Sequence, residues 1–438
     1  MPLSICSFEQ YQKDHPAVSL DAYSTERSEV LEIIENVRQN GDAALFDYTE
    51  KFDQTRLKQL RVSEEELFQA AESVDPFLLE AVREAMNNIE RFHRHQLENN
   101  WWENGPGWLA GQRTTALQRA GAYIPGGTAA YPSSVLMTVI PARVAGVSEI
   151  YLCTPPDSSG AVNSLTLAAA REAGATAVYK VGGAQAVAAM AYGTESIPAV
   201  QKIVGPGNIY VTLAKREVYG QVGIDMLAGP SEIVIVAEEV AKPAYIAADL
   251  LSQAEHDPLS RSILITPSEL LARSVIENLE EQLETLPRKE VAIQSLKKQG
   301  AVILIPDLDH AWPVVNQLSP EHLELHLDDA WRYLDYIKSA GAIFIGQYTP
   351  ESVGDYWAGS NHVLPTGAAA RYASPLGVND FLKRSHVISY SASALQQSAG
   401  QIAALARAEG LEAHARAVLL RRQEDEQKSK DKSRYRGN

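Results

Sequence analysis

Four short runs hold side chains that could do chemistry. In LLSQAEHDP, Gln253 and His256 stand three apart at the end of an expected helix that Pro258 would terminate, so the two share a face. A pair of ligands for one metal ion needs that geometry, and so does a histidine interacting favourably with a helix C-terminus. In LSPEHLELHL, Glu321 and His322 follow a Ser-Pro turn and are expected on a loop or a first helical turn, where adjacent side chains diverge. A carboxylate and an imidazole so placed can serve two different proton transfers when each titrates near working pH. The purely structural reading is a helix start capped by Ser319, with Glu321 near the positive dipole end. In SVGDYWAGSNHVLPTG, a Gly-rich loop too long for a simple turn carries Asp355 and His362. Asp355 could be a hard oxygen ligand, and His362 could position a substrate or satisfy a loop carbonyl. In ARAEGLEAHARA, Glu409 precedes Gly410 and His414 lies on the next helical segment, alone no more than an exposed helix face.

These candidates are scattered along the chain and reproduce no compact signature, such as two histidines four apart with an intervening glutamate. No GxGxxG occurs either: GPGNIY and VGGAQAVAAMAYG have glycines without that spacing. Cys6 and Cys153 are too few for a disulfide framework or a Cys-rich zinc site and read as small buried hydrophobes.

The elements that must position these groups are legible in the periodicity. From about residue 20 to 100 apolar residues recur at helical spacing, with a break at Gly41. Around Trp101 and Trp102 the composition turns aromatic and Gly-rich, and GAYIPGGTAAYPSS reads as a loop entering a new unit near Tyr123. From there EIYLC, TAVYKV and KIVGPG alternate with VNSLTLAAAREAG and GAQAVAAMAYG, the punctuation of a parallel sheet covered by helices. A second series follows in SEIVIVAEE, YIAADLLSQAEHD, RSILITP, a long helix near 268–285, GAVILIP and GAIFIGQY. The expected fold is therefore α/β, with two Rossmann-like but incomplete parallel-sheet domains and helical N- and C-terminal extensions. The expected division is an extension over 1–20, a first α/β domain from 21–122 plus 233–375, a second over 123–232, and a C-terminal helical segment over 376–438. The polar tail from about 423 is expected to be disordered.

At 438 residues the chain exceeds the ~250 to 300 residues at which a single core stops growing. With 45% hydrophobic and 21% charged residues it has the balance of an ordinary soluble protein. A net charge of -16 argues against nucleic-acid binding, which needs a basic face. No basic, apolar leader and no run of ~18 apolar residues is present, so membrane partners are not expected and the cytoplasm is.

Seven blocks, YIPGGTAAYPSSVLMTVIPARVAG, VGGAQAVAAMAYGTESIPAVQKIVGPGNIYV, DMLAGPSEIVIVAEE, LLSQAEHDP, SPEHLEL, GDYWAGSNHVLPTG and EGLEAHARAV, resemble the histidinol dehydrogenase family in the family's order. The resemblance spans nearly the whole chain up to about Gln423. It implies zinc-dependent, four-electron oxidation of L-histidinol by NAD, through L-histidinal, to L-histidine. It also implies one zinc per subunit on Gln253, His256 and Asp355 with His414 of the other subunit, in a homodimer whose active sites are shared. Glu321 and His322 fall on the catalytic pair, with His322 as acid/base for both oxidations and Glu321 as the base that activates water. Ser231, Gln253, His256, His322, Asp355, His362, Glu409 and His414 are implied around the substrate, and Tyr123, Gln185 and Asn208 around NAD. The alternatives are a dehydrogenase of another small alcohol on this scaffold and a non-catalytic zinc- or nucleotide-binding regulator.

Overall fold

SEIVIVAEE, RSILITP, GAVILIP and GAIFIGQY form the strands Glu232–Ala237, Arg261–Thr266, Ala301–Leu304 and Ala342–Ile345. Their apolar runs lack strict alternation because helices cover both faces, which is the condition of an all-parallel sheet. The computed structural model describes residues 3–16, 20–126 and 130–422. The tail expected to be disordered and part of the loop before residue 132 lie outside the described residues.

The chain divides into two compact units, Met1–Leu97 with Leu117–Phe381, and Glu98–Ala116 with Leu382–Asn438. The first unit holds two parallel sheets. One has six strands in the order Ser4–Cys6, Ala301–Leu304, Arg261–Thr266, Glu232–Ala237, His322–His326, Ala342–Ile345. The other has five, in the order Ala177–Lys180, Glu149–Thr154, Arg119–Tyr123, Lys202–Val204, Gly223–Ile224. Both sheets wind identically: apart from the added edge strand Ser4–Cys6, each places its third, second, first, fourth and fifth strands side by side. That is the strand order of a doubly wound α/β sheet without its sixth strand, twice over.

The N-terminal segment thus pairs in parallel with Ala301–Ile303, where the sequence reading had no strand. The helix Ser24–Asp53 is interrupted at Gly41, whose φ of +52° suits glycine. It packs its apolar face, through Val30, Ile34 and Leu45, on the helix Gly183–Tyr192 of the five-stranded sheet. The second unit carries a three-stranded antiparallel sheet, Leu382–Tyr390, Trp108–Ala116 and Trp101–Gly105. The aromatic, Gly-rich stretch around Trp101 and Trp102 is therefore a hairpin, closed at Gly107 with φ +79°. The helix Ala392–Ala408, capped by Ser391, and a further helix over 412–422 complete this unit. Among the described residues, no helix is long and apolar enough to cross a membrane.

Candidate active site

In a parallel sheet each crossover helix brings the chain back to the edge where its strands begin. The helix Pro243–Ala254 follows strand Glu232–Ala237 and so delivers Gln253, fully buried, and His256, in the turn just past the helix end, to the edge where Ser231 and His322 stand. Glu321 and His322 correct the sequence reading. His322 opens the buried strand His322–His326 between Glu232–Ala237 and Ala342–Ile345, while Glu321 lies in the bend just before it, and neither is on a helical turn. Ser319 caps no helix start: it ends the helix Ala311–Leu318 in a left-handed conformation, φ +49°. HLELH carries the alternation of a strand, but the Ser319–Pro320 turn before it reads equally as a helix start.

One residue of the neighbouring strand grips both members of the pair. The Glu232 N–H donates to Glu321 Oε2 at 2.9 Å, and the Glu232 carbonyl lies 3.0 Å from His322 Nδ1. A carbonyl only accepts, so Nδ1 carries the proton and Nε2 is left with its lone pair. That Nε2 is buried and makes no hydrogen bond among the described residues. It faces Glu351 Oε1 at 3.8 Å and Asp355 Oδ1 at 3.9 Å, two carboxyls able to stabilise a proton once Nε2 takes it. Burial pulls the His322 pKa down, with Asp355 and the Glu232 carbonyl opposing, so the ring is neutral and basic at neutral pH. Glu321 is pushed well up, by burial first and then by Glu232, Glu351 and Asp355 nearby, against the lowering effect of the Glu232 N–H. A carboxyl so raised is matched to taking a proton from water.

Asp355 sits on the short helix Glu351–Tyr356 rather than in an irregular loop. Its pKa is pushed up to about 7 by burial and Glu351, with His322 opposing. His362 is pulled down to about 4 by burial, with further contributions from the nearby His322 and His256. The His362 Nε2 is buried and unbonded among the described residues. The donor set fits a divalent cation: neutral imidazole nitrogen, carboxylate oxygen, and several buried carboxyls whose charge a cation would offset. Donor atoms of His322, Glu351 and Asp355 all lie within 4.8 Å of one another. Ser231, Glu321 and His362 line a cavity of about 140 Å³ whose other wall is Gly205, Pro206 and Gly207. Glu409 and His414 lie in the second unit and are exposed.

Glu232 and Glu351 went unnoticed in the sequence, as did a buried network behind the pair. His326 Nε2 lies 3.1 Å from Glu324 Oε2, and Asp249 reaches His326 at 3.6 Å. Glu324 in turn accepts the Glu351 N–H at 2.8 Å and so anchors the helix that carries Asp355. The available signal was the alternation His322, Glu324, His326 along one face of a strand. Gly341 is a tighter constraint, because a Cβ there would come within 2.5 Å of the Glu321 carbonyl oxygen. Gly341→Ala is expected to displace Glu321 by a few tenths of an ångström and lower kcat about tenfold, with substrate KM little changed. Steady-state kinetics with a thermal melt checks this.

Tyr123, Gln185 and Asn208 belong to the other sheet. Its winding reverses between Arg119–Tyr123 and Lys202–Val204, and ligands of such sheets bind outside the carboxyl ends of the strands at that reversal. Tyr123 ends the first of these strands, and Asn208 caps the helix Ile209–Val218 that follows the other. The Tyr123 hydroxyl accepts the Gly183 N–H at 3.1 Å, beside the buried Gln185. The carboxyl edge of one sheet thus meets the amino edge of the other across the cavity, with Gly205, Pro206 and Gly207 opposite Ser231 and Glu321.

Comparison with known proteins agrees in extent as well as in kind. A family profile described as histidinol dehydrogenase matches residues 19–422. The chain is 54% identical over 402 residues to histidinol dehydrogenase of Geobacillus kaustophilus, covering 92% of this chain and 95% of that protein. It is 54% identical over 405 residues to the Bacillus subtilis protein of the same name, again covering 92% and 95%. The crystal structure of histidinol dehydrogenase from Elizabethkingia anophelis superposes with a TM-score of 0.90 at 38% identity, covering 97% of this chain and 98% of that one. With this identity running through both sheets and the pair between them, the chain belongs to the histidinol dehydrogenase family.

Proposed function

We propose that the protein oxidises L-histidinol in two steps to L-histidine, with two NAD and one zinc per active site, as a cytoplasmic homodimer. The observation that supports this best is the double grip of Glu232, which holds a water-activating carboxyl and an imidazole of fixed tautomer side by side. When bound, NAD accepts the hydride of each oxidation, and zinc on Gln253, His256, Asp355 and the other subunit's counterpart of His414 holds the substrate's amino and imidazole nitrogens. His322 Nε2 takes the alcohol proton as the hydride leaves the carbon, and Asp355 offsets the charge it acquires. The aldehyde has no second hydride to give until it is hydrated. Glu321 therefore removes a proton from water as the hydroxyl adds to the carbonyl carbon, the protonated His322 returns its proton to the carbonyl oxygen to complete the diol, and His322 then takes a diol proton as the second hydride leaves. Ser231 and His362 line the cavity beside the reacting carbon, and Tyr123, Gln185 and Asn208 hold the cofactor at the opposing sheet edge.

The deciding experiment counts NADH formed per L-histidinol consumed, before and after chelation. Two equivalents with zinc and none after chelation are expected. One equivalent with released aldehyde would replace this reading by a simple alcohol dehydrogenase, and no turnover would replace it by another substrate.

A further inference from the structure

Between the two sheets the protein buries a complete ion pair that the chemistry above does not use. Lys215, on the helix Ile209–Val218, pairs with Asp225, and their side chains are 2% and 1% exposed. Such a pair gives up two hydration shells, and an apolar pair of equal volume is commonly as stable or more so. Stability alone is therefore a poor account of it. What an apolar pair could not supply is its hydrogen bonding to Gly205. Asp225 Oδ2 accepts the Gly205 N–H at 2.7 Å, and Lys215 Nζ donates to the Gly205 carbonyl at 3.0 Å. Both backbone groups of one residue are thus held by the pair. Asp225 is itself fixed, its Oδ1 accepting the Met226 N–H at 2.6 Å and its own N–H donating to the Ile203 carbonyl at 3.2 Å.

Gly205 occupies φ +109°, and a Cβ on it would meet the Tyr123 carbonyl oxygen at 2.2 Å. The segment from Gly205 to Asn208 consequently turns directly against the end of strand Arg119–Tyr123, at the reversal of the sheet. Its outer side carries Asn208, and its inner side is the Gly205–Pro206–Gly207 wall of the cavity that Lys215 and Asp225 also line with Ser231 and Glu321. We infer that Lys215 and Asp225 are positioning residues, which set this segment so that cofactor and reacting carbon meet in register. The inference rests on the cofactor reading above.

The test is NADH binding by fluorescence titration, with kinetics and a thermal melt, on the intact protein and on Lys215→Met/Asp225→Leu. The double substitution removes both charges together and leaves neither stranded. We expect a folded protein with a melting temperature close to that of the parent, an NADH Kd raised roughly tenfold or more, and KM for NAD raised in parallel while kcat falls less. A folded variant with unaltered Kd and KM would overturn the inference, since a space-filling role predicts that result. Should the double variant not fold, Asp225→Asn decides by the opposite result: it keeps an acceptor for the Gly205 N–H, so an NADH Kd close to the parent's is expected, and a tenfold rise would overturn the role given to the bonds to Gly205. Failure of the unmodified protein to bind NADH would overturn the cofactor reading, and this inference with it.

Discussion

Glu321→Gln should nearly abolish formation of histidine while sparing formation of the aldehyde. Glutamine keeps the size of the side chain and an oxygen for the Glu232 N–H, so the geometry at 2.9 Å survives and only the proton acceptor is lost. Oxidation of histidinal is expected to slow by ~10² to 10⁴-fold, the usual worth of a positioned general base, with alcohol oxidation reduced by less than about tenfold. Single-turnover NADH formation from histidinol and from histidinal separates the two steps. Equal loss in both would remove Glu321 from its role. The pH dependence has a defined sign. Glu321 must be deprotonated to act, and its pKa is raised, so aldehyde oxidation rises with pH through a limb above the ordinary carboxylate range. That limb disappears in the glutamine variant. His322→Gln, by contrast, lowers both oxidations together, because Nε2 serves each.

Mixing two variants that each fail to oxidise histidinal should restore that activity if active sites are shared between subunits. His414→Ala removes the group proposed to cross to the partner, and Glu321→Gln removes one that stays at home. After dissociation and random reassociation, half of the dimers are mixed, and one of the two sites in each is then intact. Activity near a quarter of the parent's, about the statistical limit, is expected from a mixture of two proteins nearly inactive towards histidinal. No recovery, with mixed dimers demonstrated by differential tagging, would place His414 in its own chain's site. The exposure of Glu409 and His414 on the second unit is what a side chain reserved for a partner requires.

Much of this protein is written in local pattern. The strands Glu149–Thr154, Ala177–Lys180, Glu232–Ala237, Arg261–Thr266, Ala301–Leu304 and Ala342–Ile345 stand where apolar runs predict them, and Gly41 breaks its helix as expected. Strand His322–His326 alternates polar and apolar residues, but the Ser319–Pro320 turn before it reads equally as a helix start, and five residues are too few for the period to decide. The antiparallel sheet of the second unit escaped for a different reason. Its strands Trp108–Ala116 and Leu382–Tyr390 pair across more than 260 residues of sequence (Ala116 opposite Leu382), and pairing at that separation leaves no local trace.

By itself, then, the sequence determined the residue types, the two alternating α/β series and, through resemblance, the family, because these depend on side chains and their near neighbours. Only the tertiary structure decided which proton His322 carries. That choice depends on the carbonyl of Glu232, a backbone atom 90 residues away that no side-chain pattern encodes. Burial likewise decided the direction of each pKa shift, and the meeting of two sheet edges decided that Gly205 and Glu321 would share one cavity. These are consequences of solvent exclusion and strand register, which exist only once the chain has folded.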